Sequence, residues 1–448
     1  MHSAKLTIPK YLPLLFIICG LQYVANAQEN SPYSRYGIGD IAPNRNVFSR
    51  SMGGISAGIA DYQSVNITNP AALANVSNTI FDVAAEADWR ILKNRNPSKK
   101  FTSANSLFSY LQMSFPLATT KMQKKNIKWA MNFGLRPVSK INYKIEKRER
   151  LTNIDSLQTL YEGNGGINQA FVGTAIKIKN FSIGINAGYM FGSKEYSTKL
   201  RLINDSVIYA ISNSYKKATF GDFFINAGLQ YEKTFKNSEN KVDKVLRIGA
   251  YGNLQHDIKT SRDDVRETIS YDVNGSTYHI DSIYEQKDVK GITKYPATIG
   301  IGGSFQNEHW TYGVDFETTN WNAYRFYGQT DAVQNSWTVR AGAQYYPAKT
   351  NTAAKKYFNF VRYRAGFYYG TDYIKLGTNS RPEYAFTLGT GMPLTSSQRI
   401  SYGEYVMLNT ALEVGSRGSK NNNLRENIVR FSIGISMNAR WFQKPKYN

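Results

Sequence analysis

Long runs of strict two-residue alternation restrict what this chain can fold into more than any other feature. The clearest run lies near the C-terminus, where Val429, Phe431, Ile433, Ile435, Met437, Ala439 and Trp441 are apolar and Arg430, Ser432, Gly434, Ser436, Asn438 and Arg440 stand between them. Such a strand has one oily face and one polar or small face. The same rule sets Phe181, Ile183, Ile185, Ala187, Tyr189 and Phe191 against Ser182, Gly184, Asn186, Gly188, Met190 and Gly192. It returns at Ala297, Ile299, Ile301 and Phe305, and at Trp337, Val339, Ala341, Ala343 and Tyr345. Soluble strands run about five or six residues, whereas many runs here are twice that length, as oblique bilayer crossings require.

Other architectures fall away on simple grounds. Beyond the first 27 residues no stretch of 18 apolar residues could cross a bilayer as a helix. Aromatic residues make up 14% of the chain, against the aromatic poverty of disordered segments. The single cysteine, Cys19, cannot build a disulfide scaffold or a thiolate metal site. No fixed repeat supports a β-helix or propeller. The expected fold is all-β, a 14-stranded antiparallel transmembrane β-barrel with an N-terminal plug (hatch) in the lumen. Strands are expected near 81–94, 104–117, 126–149, 164–178, 181–203, 214–235, 242–266, 290–306, 309–328, 333–347, 356–373, 382–393, 399–416 and 424–442, with long loops at 150–163 and 267–289. An even number suits closure with both ends on the periplasmic side. Trp310, Tyr345, Tyr346, Trp441 and Phe442 fall near strand ends, where interfacial aromatic girdles belong.

Residues 1–27 read as a secretory signal: Lys5 and Lys10 precede an apolar run over 11–21, and Ala25-Asn26-Ala27 offers a small-residue cleavage site before Gln28. A lipoprotein signal fits poorly, because bulky Ile18 precedes Cys19. The domain expectation is a signal peptide over 1–27, a hatch over 28–80, a barrel over 81–442 and a periplasmic tail over 443–448. The expected location is the outer membrane of a Gram-negative bacterium.

Residues 28–80 do not alternate. They contain Gly53-Gly54, then Ala57-Gly58-Ile59-Ala60-Asp61, then Asn69-Pro70-Ala71-Ala72-Leu73-Ala74. Asn69 can cap a short helix that Pro70 opens at its first position. Fourteen strands enclose a lumen too wide for wall side chains to fill, and a compact small-residue segment would occupy it. In this order, before a β-rich chain, these motifs resemble the FadL-type (OmpP1/FadL/TodX) outer-membrane hydrophobic-compound transport family. Tyr295-Pro296-Ala297-Thr298 with Gly300, Gly302, Trp310, Asp315 and Trp321, and Gly165-Gly166-Ile167-Asn168-Gln169, extend the resemblance. It implies a monomeric 14-strand barrel with a hatch, a lumenal ligand pocket and an inward kink in the third strand that opens the wall sideways. The hatch motif is then Gly53, Gly54, Ala57, Gly58, Asn69, Pro70 and Ala71. Gly134 and Pro137 are the candidate wall gap, since proline gives no ladder hydrogen bond.

Arg362, Arg364, Arg430 and Arg440 alternate with apolar neighbours and are expected to face the lumen, as ligand or plug contacts with plug contacts favoured. Phe48, Met52, Ile55, Ile59 and Leu73 line a pocket or form the plug's own core. The formal net charge of +22 is dispersed, which suits attraction to lipopolysaccharide phosphate rather than to nucleic acid. Gly54-Ile55-Ser56-Ala57-Gly58 has nucleophile-elbow spacing but lacks the strand and helix that motif needs. With no metal-ligand spacing and no phosphate-cradling loop, no enzyme, metal or cofactor is expected.

Two functions follow. The first is passive uptake of hydrophobic or amphipathic small molecules such as long-chain fatty acids, gated by the hatch with lateral exit. The second is a scaffold or shuttle subunit of an outer-membrane protein assembly or secretion complex, as in related PorV-like barrels. Expected partners are outer-membrane lipid and lipopolysaccharide, a hydrophobic ligand, and an outer-membrane protein.

Overall fold

The computed structural model describes residues 31–439 except 96–97, 151, 153–155, 205, 240–241, 273, 349–355, 378, 396–404, 420 and 423. The signal, the tail, Arg440, Trp441 and Phe442 lie outside the described residues.

Fourteen antiparallel strands close into a barrel: β1 (Thr79–Asn94), β2 (Lys99–Pro116), β3 (Ile127–Arg150), β4 (Ser156–Ile178), β5 (Phe181–Ile203), β6 (Ile211–Lys236), β7 (Val242–Asn253 and His256–Tyr271), β8 (Thr277–Tyr295 and Thr298–Gln306), β9 (Trp310–Thr319), β10 (Ser336–Tyr345), β11 (Arg362–Thr371), β12 (Pro382–Pro393), β13 (Tyr405–Arg417) and β14 (Leu424–Ala439). β14 pairs with β1 from Leu424↔Asn94 to Ala439↔Thr79, which removes the sheet edges. Both chain ends of the barrel therefore lie at one rim, the terminal rim, opposite the far rim.

Alternation is realised as the sequence requires. On β5, Phe181, Ile183 and Ile185 are exposed outward while Ser182 and Asn186 are buried toward the lumen. β9 and β12 present Val314, Phe316, Phe386 and Leu388 in the same way. An apolar belt of this extent is stable against hydrocarbon and costly against water. At the terminal rim Trp310 stacks on Tyr312 and meets Tyr345 at 4.7 Å between ring centroids, one piece of an interfacial girdle.

The wall is uneven in height. β3 to β6 run 24, 23, 23 and 26 residues, whereas β9, β10 and β11 run 10 each. The segments expected as loops at 150–163 and 267–289 are largely strand: β4 begins at Ser156, and the first part of β8 begins at Thr277 and pairs with β7. These strands rise past the apolar belt with water on both faces, so they lack the lipid-facing alternation that marks the rest. In its ladder with β7 the upper part of β8 carries three register shifts, at His279/Asp281, Ser282/Tyr284 and Gln286/Val289, and it carries charged residues along its length, both of which discourage edge-to-edge pairing at its other edge.

The β2–β3 ladder is short. It spans six pairs, from Pro116↔Ala130 to Leu111↔Leu135, and then stops. Just beyond it β3 has a bulge between Pro137 and Ser139 in its ladder with β4. The edge that β3 then leaves free is taken from inside the lumen by a two-residue strand, Asp40–Ile41, with Asp40↔Lys140 and Ile41↔Ser139.

Val314 sits mid-way along the outward face of β9. Val314→Arg is expected to cost about 2–4 kcal/mol, the range for arginine at a bilayer midplane, measured by urea titration of the barrel folded into lipid vesicles.

Candidate functional site: the hatch and the charged lumen

The N-terminal segment fills the lumen from the far rim to the terminal rim. At the far rim Ser31 Oγ donates to Glu426 Oε1 at 2.6 Å, the Tyr33 hydroxyl donates to Leu424 O at 2.9 Å, and the Arg381 guanidinium lies 3.3 Å from the centre of the Tyr33 ring. The chain descends through Asp40–Ile41 into helix α1 (Val47–Arg50), whose cap is Asn46 accepting from Ser49 N at 2.9 Å. It ends in a 3-10 turn over Pro70–Asn75. There Asn69 Oδ1 accepts from Ala71 N at 3.1 Å, while Asn69 Nδ2 donates to Ala57 O at 2.7 Å and to Leu229 O of the wall at 3.3 Å. One side chain thus caps a turn and ties two hatch layers to β6.

Ion pairs fasten the hatch along its length. Asp40 bridges Arg90 at 2.5 Å and Arg417 at 2.7 Å. Arg45 meets Glu317 at 2.9 Å, Arg50 pairs with Glu86, and Asp61 meets Arg362 at 3.1 Å. Asp315 Oδ2 accepts the backbone N–H groups of Ser56 and Ala57 at 2.5 and 2.8 Å, and Ser304 Oγ donates to Gly58 O at 2.6 Å. The Ser56 hydroxyl donates to Gly54 O, so the elbow-like spacing holds a buried turn.

Close backbone approach explains the glycines on both sides. Gly53 and Gly54 have φ of +69° and +83°, a conformation other residues resist. In the wall, a Cβ at Gly228 would collide with Asn69, at Gly249 with the Ala57 carbonyl, at Gly342 with the Met52 carbonyl, and at Gly366 with Gly53. The hatch is seated against wall backbone rather than floating on side chains. Phe48, Met52, Ile55 and Ile59 form one buried cluster, and Leu73 joins a second with Val65, Ala74, Val76 and Ile80. These residues are core.

Of the arginines singled out from alternation, Arg362 contacts Asp61 and the Tyr62 hydroxyl of the hatch. Arg364 lies 4.4 Å from the centre of the Phe48 ring and donates to Gln344 and Asn409, each at 2.8 Å. Arg430 pairs with Glu413 at 2.8 Å and Asp88 at 3.3 Å, both on the wall. Gly134 lies in the last stretch of the β2–β3 ladder, and Pro137 stands just past its end. Sequence reasoning missed Asp40, Arg45 and Arg50, which carry no periodic signal, and the lumenal row Asp82, Glu86, Asp88 and Arg90 of β1, which does. Those four alternate with Phe81, Val83, Ala85, Ala87 and Trp89, so parity alone places them inward.

Between hatch and wall lies a cavity of about 270 Å³. Arg45, Arg136, Arg340, Glu317, Glu383 and Glu413 are among its lining residues, beside apolar and aromatic groups such as Val138, Met190, Phe224 and Trp321, so its wall is mixed.

A family model described as BamG matches residues 8–448. No curated protein matches the sequence. Among solved structures, a Pseudomonas aeruginosa FadL homologue is 12% identical, with a TM-score of 0.53 over 89% of this chain and 99% of its own. The CymD monoaromatic hydrocarbon channel is 12% identical, with a TM-score of 0.51 over 91% of this chain and 100% of its own. The Pseudomonas putida toluene transporter TodX is 15% identical, with a TM-score of 0.50 over 90% and 99%. At such identities the likeness is one of fold.

Asp40→Ala leaves Arg90 and Arg417 without the carboxylate they share. Because Arg90 keeps Asp88 and Arg417 keeps Glu383, it is expected to loosen hatch docking by about 1.5–3 kcal/mol, seen as faster amide hydrogen exchange over residues 40–60 and at the β3 residues Ser139 and Lys140 that pair with the hatch, with exchange in the other strands unchanged. Gly228→Leu would displace the Asn69 turn, and its expected signature is a rise in single-channel conductance in planar bilayers from a barrel that still folds.

Proposed function

We propose, because the chain belongs to the BamG family, that it is an outer-membrane scaffold subunit of the BAM machinery that assembles outer-membrane proteins. The observation that carries this reading beyond the family is the fastening of the hatch. Ion pairs from Asp40, Arg45, Arg50 and Asp61 tie it to the wall at successive levels, and breaking each buried pair carries a large penalty. A hatch that must open for every ligand is poorly served by such pins.

The polar lumen favours the same reading. Sites for hydrophobic small molecules are lined mainly by apolar and aromatic side chains with few charges, whereas this cavity sets several guanidinium and carboxylate groups beside its apolar and aromatic ones. The tall β3–β8 wall offers a partner protein a surface standing clear of the lipid. One observation favours hydrophobic uptake with lateral exit instead: the β2–β3 ladder ends at Leu111↔Leu135, beside Gly134 and Pro137. The strand Asp40–Ile41 covers that break from inside.

The deciding experiment is extraction of the tagged full-length chain from its native outer membrane in mild detergent. Co-purification of the central barrel subunit of the assembly machinery, with a fall in folded outer-membrane proteins on depletion, is expected. Recovery of the chain alone with a stoichiometric apolar molecule, and unchanged assembly on depletion, would overturn the proposal in favour of uptake.

A further inference from the structure

Around the part of the lumenal cavity where Arg136, His256 and Tyr295 stand, the hatch leaves polar nitrogen atoms unused. Arg136 gives both Nε and Nη2 to the one amide oxygen of Gln169, at 2.8 and 2.6 Å, and its Nη1 is buried without a hydrogen-bond partner. Among the described residues no carboxylate pairs with it. The other two arginines nearby differ in this respect, since Arg45 and Arg340 share Glu317. A guanidinium cannot shed its proton to escape burial, so Arg136 is a cation in want of an anion.

His256 stands on the same side. Its Nδ1 lies 3.2 Å from Leu254 O, a carbonyl that can only accept, so Nδ1 carries the proton. The other ring nitrogen, Nε2, is buried without a partner. Tyr295 lies against the His256 ring, with centroids 5.1 Å apart. Arg45, Arg136, His256 and Tyr295 all line the cavity.

The wall is also interrupted there. The β6–β7 ladder runs to Phe220↔Thr260 on one side and resumes at Ala227↔Gly252, leaving the strands unpaired between, where β7 itself is broken before His256. Leu254 at that break is 84% exposed. A group could reach the donors through this interruption as well as from the lumen.

We infer that Arg136, His256 and Tyr295, with Arg45 behind them, form a site for an oxyanion, a phosphate or carboxylate group. The anion supplies the acceptor that Arg136 Nη1 lacks. It takes a second hydrogen bond from the tyrosine hydroxyl, while His256 Nε2, an acceptor when Nδ1 holds the proton, takes one from a hydroxyl that the anionic group carries, the P–OH of hydrogen phosphate or the glycerol hydroxyl of a head group. The same chemistry is presented by free inorganic phosphate and by the head group of an anionic lipid. The site does not depend on the scaffold reading.

The test is calorimetric titration of the full-length barrel in neutral detergent at constant ionic strength, first with inorganic phosphate and then with a short-chain phosphatidylglycerol. Saturable binding at one site per barrel is expected for at least one probe, weakened about tenfold or more in Arg136→Gln, as loss of a charge-assisted hydrogen bond implies. Arg148→Gln, at the exposed far-rim end of β3, should bind as the wild type does. Phosphate binding alone identifies a free oxyanion; lipid binding without phosphate binding identifies a head group. His256→Ala must weaken the same probe, and it carries the test should Arg136→Gln fail to fold. No binding of either probe, or equal binding by wild type and both variants, overturns the inference.

Discussion

Everything in this molecule follows from a backbone that must satisfy its hydrogen bonds in lipid. Hydrocarbon offers no partner to a free N–H or C=O, so strands can cross it only in a closed sheet. Closure here comes from the sixteen-residue β14 meeting β1 along its whole length. Fourteen strands, however, enclose more space than their side chains fill, and the lumen creates a second demand. The N-terminal segment meets it with glycine, alanine and asparagine, residues small enough to bring hatch backbone against wall backbone at Gly228, Gly249, Gly342 and Gly366.

The hatch resolves a further conflict at the wall. Pro137 cannot donate to a ladder, and β2 parts from β3 just before it. An unpaired strand edge at that level is unfavourable, and Asp40–Ile41 supplies the missing pairing from inside. The same aspartate bridges Arg90 of β1 and Arg417 of β13. Packing, edge protection and charge pairing converge on one short segment, so the plug and the integrity of the wall are coupled. Loosening the hatch at this level therefore also exposes wall backbone on β3.

Alternation made the strand number and the lipid-facing rows legible without coordinates, and it set Arg362, Arg364 and Arg430 on the faces opposite those rows, while Arg440 lies outside the described residues. It failed in the upper parts of β4 and β8, where both faces meet water and parity carries no apolar signal. It was silent in the hatch, where contacts such as Asp315 with the Ser56 and Ala57 amides join residues more than 250 positions apart. The β1 row of Asp82, Glu86, Asp88 and Arg90 was legible in principle, since its parity places it in the lumen. Which of those charges met the hatch was not.

The amino-acid sequence by itself determined that this chain is a membrane barrel, because period-two hydropathy is a local property that any strand displays along its own length. It also determined that something small-residued must sit within. Only the tertiary structure decided that the segment is pinned by ion pairs, which lumenal charges pair with which, and that Arg136 Nη1 and His256 Nε2 are left without partners. Those facts depend on which residues of different strands come together across the lumen, a matter of register and closure that no single strand encodes.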